Sequence, residues 1–174
     1  MPAILQGEPL LSAVWDFCAA RRGGRPMPSR ADIDPVDMPR FVLPYLVLFD
    51  VFDQGARFRW RLAGTAVVNR FGRDATGRFG EEVLSGEYLA FVTSLTKHAC
   101  RGRVPIYSHA IFHWEATQTM TTSRLYVPLG DDAVGVTQIL GAHDFGAKTP
   151  LRNPATLLRD AKKIDELVRE EVPF

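Results

Sequence analysis

The run Tyr45 to Phe52, YLVLFDVF, is apolar at every position except Asp50. Too short and too rich in β-branched and aromatic residues for a helix, it reads as a strand buried on both faces. That reading requires a sheet with cover on each side. Asp53-Gln54-Gly55 makes a tight turn, and Arg57 to Ala63 returns as its antiparallel hairpin partner. In this second strand Phe58, Trp60 and Leu62 alternate with Arg59 and Arg61, which sets an apolar phase against a charged one. Leu48→Ala is therefore expected to be far more damaging than Arg61→Gln.

Side chains from several elements converge on the stretch after the hairpin. Gly64-Thr65 breaks the strand period, Ala66, Val67, Val68 and Phe71 fit one short helix, and GRDATGRFG is too glycine-rich for regular structure. Glu87 to Gly102 is a clear helix with Tyr88, Phe91, Val92, Leu95 and Ala99 on one face. Val104–Trp114, Gln118–Pro128 and Ala133–Ala142 then read as a meander of three antiparallel strands. Ahead of the hairpin, residues 8–22 form a helix with Pro9 in its first turn and Gly23-Gly24 after its end. Its apolar arc, Leu10, Leu11, Val14, Trp15, Phe17 and Cys18, needs a large surface to cover. Asp34-Pro35 is a helix-start signal. Residues 143–152 read as irregular, and Asn153-Pro154 opens a final helix with a seam at Leu157, Ala161, Ile164 and Val168. The element order predicts an α+β domain, a five-stranded antiparallel sheet with helices on one face plus N- and C-terminal helices.

Composition excludes several classes of function. The 174 residues balance Lys+Arg 21 against Asp+Glu 20, a formal charge of +1, so no bulk field recruits nucleic acid or an anionic membrane. No apolar run approaches the ~18 residues of a membrane span, and the N-terminus does not read as a leader. Cys18 and Cys100 read as buried, reduced thiols of a cytoplasmic protein.

Motifs for chemistry are weak. Gly72 to Arg78 spaces its glycines like a phosphate loop, but Arg78 and Phe79 stand where lysine and a hydroxyl residue are required. Arg70, Arg73 and Arg78 could ring an anion; the competing reading pairs them with Asp74, Glu81 and Glu82. His109 and His113 lie about 13 Å apart on one strand face and cannot share a metal. His98 alone could ligate a haem iron, against the commoner role of a histidine at a helix C-terminus. No metal site and no nucleophilic triad emerges.

The segments RADIDPVDMPRFVLPYLVLFDV, FRWRLAGTAVVNRFGRDATGR and RLYVPLGDDAVGVTQILGA together resemble a family of small, stand-alone bacterial PAS-like proteins. The resemblance implies a sheet in spatial order 2-1-5-4-3 and a role in sensing small molecules or mediating signalling contacts, rarely catalysis. It divides the chain into 1–33, an N-terminal helix and connector, 34–145, the PAS-like domain, and 146–174, a C-terminal tail and helix. It supplies no cofactor. The cysteine of light-reactive flavin-binding relatives is lacking at Asn69-Arg70-Phe71, and His98 lacks the surroundings of a haem ligand. A pocket is expected between helix 87–101 and the sheet, with Trp60 on its wall, Tyr88 and Phe91 above it, and Tyr107, His109 and Tyr126 as polar groups for a small apolar or mixed-polarity ligand. The alternatives are a dimerisation or docking module whose core is filled by side chains, and, remotely, an enzyme using the same pocket; a Trp60 that points to solvent, or is enclosed with no void beside it, would rule out the pocket and leave the docking module. The terminal helices are expected to make a homodimer, or else to cap the outer sheet face of their own monomer. A signalling partner protein would carry the output.

Overall fold

The computed structural model of the chain describes residues 1–115, 118–146 and 161–174. Helix α1 (Pro9–Arg21) comes first, followed by three single turns of 3-10 helix before the hairpin. One of these, Pro35–Asp37, is capped by Asp34, whose carboxylate accepts from the Val36 N–H at 2.9 Å. Strands β1 (Leu46–Phe52) and β2 (Arg57–Ala63) form the hairpin, and α2 (Thr65–Phe71), α3 (Gly80–Val83) and α4 (Gly86–Gly102) form the crossover. Strands β3 (Ile106–Glu115), β4 (Gln118–Asp131), β5 (Gly135–Asp144) and β6 (Lys163–Glu171) complete one antiparallel sheet in the order β2-β1-β5-β4-β3-β6.

Because β1 is apolar on both faces, the sheet divides two cores. Val47 and Phe49 point to the side covered by α2, α3 and α4, with Phe58, Trp60, Val67, Phe71, Tyr88, Leu95, Phe112 and Tyr126. Leu46 and Leu48 point to the other side, with Leu11, Val14, Trp15 and Cys18 of α1 and with Leu125, Val127 and Leu140. The broad apolar arc of α1 is thus consumed by the outer sheet face of its own chain. At the hairpin, Gly55 has φ +83°, and a Cβ there would sit 2.6 Å from the Thr96 backbone. The turn therefore lies directly on α4, where the Thr96 hydroxyl donates to the Gly55 carbonyl at 2.6 Å.

Two expectations are corrected by strand geometry. A final helix does not form over the described residues. Residues 163–171 are a sixth strand paired with β3, and the proposed start at Asn153 and Leu157 lies outside the described residues. The seam misled because its spacing fits a helix; in the strand Leu167 is an extra residue between Glu166↔Ala110 and Val168↔His109, so Ile164 and Val168 stand on opposite faces. Pairing with the open β3 edge then overrides local helix propensity. The tail continues to α1, where the Trp15 indole N–H donates to the Val172 carbonyl at 3.0 Å. The second correction concerns β2. The register passes from Leu48↔Leu62 to Phe49↔Trp60, leaving Arg61 as an extra residue. This β-bulge flips the phase, so Leu62 joins Leu48 on the α1 side, 41% exposed, instead of sharing the face of Phe58 and Trp60.

Cys18 and Cys100 are free thiols. Burial pushes the Cys18 thiol up to about 12 against the opposing charge of Arg21, and pushes Cys100 up to about 11.

Both the buried strand and the new edge strand can be tested. Leu48 is 7% exposed, so Leu48→Ala should lower stability by about 2–5 kcal/mol, whereas Arg61→Gln at the bulge should stay within about 0.5 kcal/mol; urea melts of the two variants compare them directly. Amide exchange over 163–171 should alternate between protected and fast residues, as on an edge strand. Continuous protection there would restore the helix.

Candidate functional site

The strand period decides which predicted residues meet. On β3, Ile106, Ala110 and Phe112 face the crossover helices, and Tyr107 and His109 necessarily face α1. The expectation that Tyr107 and His109 join the pocket of Trp60 is therefore wrong by one position of phase. They belong to a separate polar network that pins the start of α1. The Ser123 hydroxyl donates to Glu8 Oε1 at 2.8 Å, Tyr107 O–H donates to the same oxygen at 3.1 Å, and His109 Nδ1 lies 2.9 Å from Ser123 Oγ.

The other four predicted residues do converge. Trp60 meets Phe49 edge-on at 4.8 Å and Phe71 at 5.3 Å. Phe71 stacks on Tyr88 at 5.7 Å, and Phe112 lies edge-on to both Tyr88 and Phe91, at 5.1 and 5.9 Å. Tyr126 reaches the group through Phe49 at 5.9 Å. Trp60 is 1% exposed and lines none of the three described cavities. An apolar groove of about 380 Å³ bounded by Ile33, Met38, Leu48, Leu62 and Leu140 lies on the α1 side of the sheet.

Two residues not expected at this site sit at its centre. Arg124 is paired with His143 across β4 and β5, on the same face as Thr122 and Tyr126. Its guanidinium is completely buried, stacked over the Phe112 ring at 4.6 Å and near those of Phe91 and Tyr88 at 5.3 and 5.9 Å. It donates to Thr122 Oγ1 at 2.7 Å and, at 3.4 Å, to the Tyr88 hydroxyl. His143 stacks on Tyr126 at 5.8 Å and meets Phe145 at 6.0 Å. Five buried polar atoms here make no hydrogen bond: Trp60 Nε1, Arg124 Nε, Tyr126 Oη and both ring nitrogens of His143. Rings alone can fill a core, but buried donors left without acceptors are destabilising, and so many on one sheet face are unusual.

The surroundings also fix protonation. Burial, with Arg124 close by, holds His143 well below the usual histidine range. Burial raises the Tyr88 and Tyr126 phenols, although Arg124 opposes both shifts. The cluster therefore carries one positive charge, on Arg124, and neutral groups around it.

The proposed arginine ring on the glycine loop is not assembled. Arg73 donates to the Glu82 carbonyl at 2.9 Å, Arg78 lies 3.8 Å from the Glu82 carboxylate, and Arg70 sits over Phe145 at 5.5 Å. Glu81 is taken by Arg57 at 2.6 Å. His98 faces Glu171 at 3.0 Å. Among the described residues, no group of three or more His, Cys, Asp or Glu side chains could hold a metal ion, and no helix is long and apolar enough to cross a membrane.

Against known proteins, the family model of the PAS domain matches residues 8–143. The chain belongs to the PAS domain family, whose members are sensory and interaction modules and are in general not enzymes. A solved structure of the PAS domain from Bordetella pertussis BvgS is similar at 16% identity and a TM-score of 0.46, covering 63% of this chain and 84% of that one. No curated protein matches. The matched span includes α1, which packs on the sheet with the rest of the domain.

Neutral burial of His143 has a pH consequence. The unfolded histidine takes a proton near about pH 6.5, while the folded one resists it until far lower pH. The unfolded state therefore binds more protons, and this residue's share of stability is lost as pH falls below about 6.5, by about 1.4 kcal/mol per unit. Urea melts between about pH 7.5 and about pH 5 should show that slope in wild type and its loss in His143→Gln. An unchanged slope in the variant would place a charged or solvated His143 in the native state.

Proposed function

We propose that the chain is a sensory or adaptor PAS module that takes a small molecule between the crossover helices and the sheet and passes its presence to a partner protein. The observation that carries this reading is the set of unpartnered polar atoms on the helix-facing side of the sheet, at Trp60, Arg124, Tyr126 and His143. A docking module needs an apolar surface, and it gains nothing from buried donors without acceptors. Phe71 of α2 and Tyr88 of α4 stack on each other and meet Trp60 and Phe112 edge-on, which closes the core. A molecule seated among these rings must displace them, and the displacement moves helices that a partner can read. The apolar groove beside Leu62, on the opposite face, is a surface on which such a partner could rest.

Native mass spectrometry of the protein purified from its own host tests the reading. The expected result is an additional non-covalent mass that is lost on denaturation and is absent from Trp60→Ala. That variant should remain folded and be destabilised by about 3–5 kcal/mol. Chain mass alone, under conditions that keep weak complexes intact, would leave an interaction module with a filled core.

A further inference from the structure

We propose that the molecule held by this core is a small organic monocarboxylate, its acid group on Arg124, Tyr126 and His143 and its apolar body among the rings of Trp60, Phe71, Phe91 and Phe112. The inference rests on the ligand-binding reading of the same core and assigns the chemical class of the ligand.

Charge is the first consideration. A guanidinium stays protonated in any protein environment, and Arg124 is fully buried. Buried ions are ordinarily paired with an opposite charge, because removing an ion from water is far more unfavourable than stacking or one neutral hydrogen bond can offset. Among the described residues, the partners of Arg124 are one threonine hydroxyl, one phenol and three ring faces, all neutral. Ser108 lies opposite Arg124 in the β3–β4 register and binds the Glu166 carboxylate at 2.6 Å. That carboxylate is already paired with Arg169 at 2.7 Å. The missing component is an anion.

The unpartnered atoms give the same answer independently. Arg124 Nε and Trp60 Nε1 can only donate, Tyr126 O–H can donate, and a neutral His143 offers one further N–H. Of these, Arg124, Tyr126 and His143 are neighbours on one face of β4 and β5, and neighbouring donors recognise an acceptor-rich group; Trp60 lies on β2, at the far end of the ring cluster. The Arg124–His143 register places the two side chains directly across neighbouring strands, with Tyr126 next along the same face. Charge balance then separates carboxylate from phosphate. With His143 held neutral, the core contains one positive charge, which a monoanion neutralises and a phosphate dianion exceeds. The aromatic rings in the same wall favour an apolar body behind the acid. Arg70, half-buried with its guanidinium 5.5 Å from the Phe145 ring, adds positive potential beside Phe145, which itself lies 6.0 Å from His143.

The test titrates wild type and Arg124→Met with benzoate, phenylacetate and octanoate, with the matching neutral amides, and with inorganic phosphate. Acids extracted from protein purified from its own host are identified in parallel, a readout that does not depend on the variant folding. A carboxylate should raise the wild-type Tm by roughly 5–10 °C at a hundredfold excess over its Kd. The amides and phosphate should not. Arg124→Met should bind that acid roughly tenfold to a hundredfold more weakly. Equal binding of amides and acids, or a neutral molecule that co-purifies and is retained by Arg124→Met, overturns the acid assignment and leaves the ligand-binding reading standing. No carboxylate bound by wild type, together with no molecule in the extract, overturns both.

Discussion

A strand that is apolar on both faces cannot border water on either side, and β1 imposes that condition on the whole chain. Val47 and Phe49 demand cover from the crossover helices, and Leu46 and Leu48 demand it from α1. The sheet is therefore the middle layer of three. Its two faces carry different chemistry, because the pleat sends neighbouring residues to opposite sides. On the α1 face Glu8, Tyr107, Ser123 and His109 bond to one another in a single network, although Gln138 Oε1 makes no hydrogen bond. On the helix face five polar atoms, at Trp60, Arg124, Tyr126 and His143, are left open.

That contrast separates structural polarity from candidate function. A network whose donors all find acceptors rigidifies the attachment of a helix and needs nothing further. The Arg124 cluster has the opposite character. Its charge is surrounded by aromatic faces, its strand neighbour His143 is kept neutral by burial, and donors outnumber acceptors. The crossover lays Phe71 and Tyr88 over this cluster, so any molecule that completes it must push against α2 and α4. A ligand bound there would be coupled to helix position by that packing alone.

Much of the fold was legible in the sequence. The run 45–52, the alternation in 57–63 and the facial pattern of 87–102 are long, periodic signals whose local preference agrees with their tertiary setting. The resemblance to PAS proteins placed the strands in the right order. Failures arose where one residue shifts a phase or where sheet pairing overrides a helical spacing. A single extra residue at Arg61 turned Leu62 to the other face, and the seam of Ile164 and Val168 was taken up by a strand whose extra residue, Leu167, sets the two on opposite faces. At the site, Trp60, Tyr88, Phe91 and Tyr126 were found because large aromatics in covered elements are conspicuous. Tyr107 and His109 were misplaced by one step of the pleat. Arg124 was overlooked although it lies two residues before Tyr126 and so shares its face. A charged residue on the buried phase of a central strand is the signal that points to it.

The resonance of the Arg124 Nε–H group tests the central claim most directly, because that hydrogen has no acceptor among the described residues. In protein purified from its host it should be shifted downfield and exchange slowly, held by an acid oxygen. After denaturation, dialysis and refolding it should move upfield and exchange faster, and adding back the extracted acid should restore it. An identical resonance before and after stripping would mean that the protein satisfies Arg124 by itself, and the core would then be structure alone.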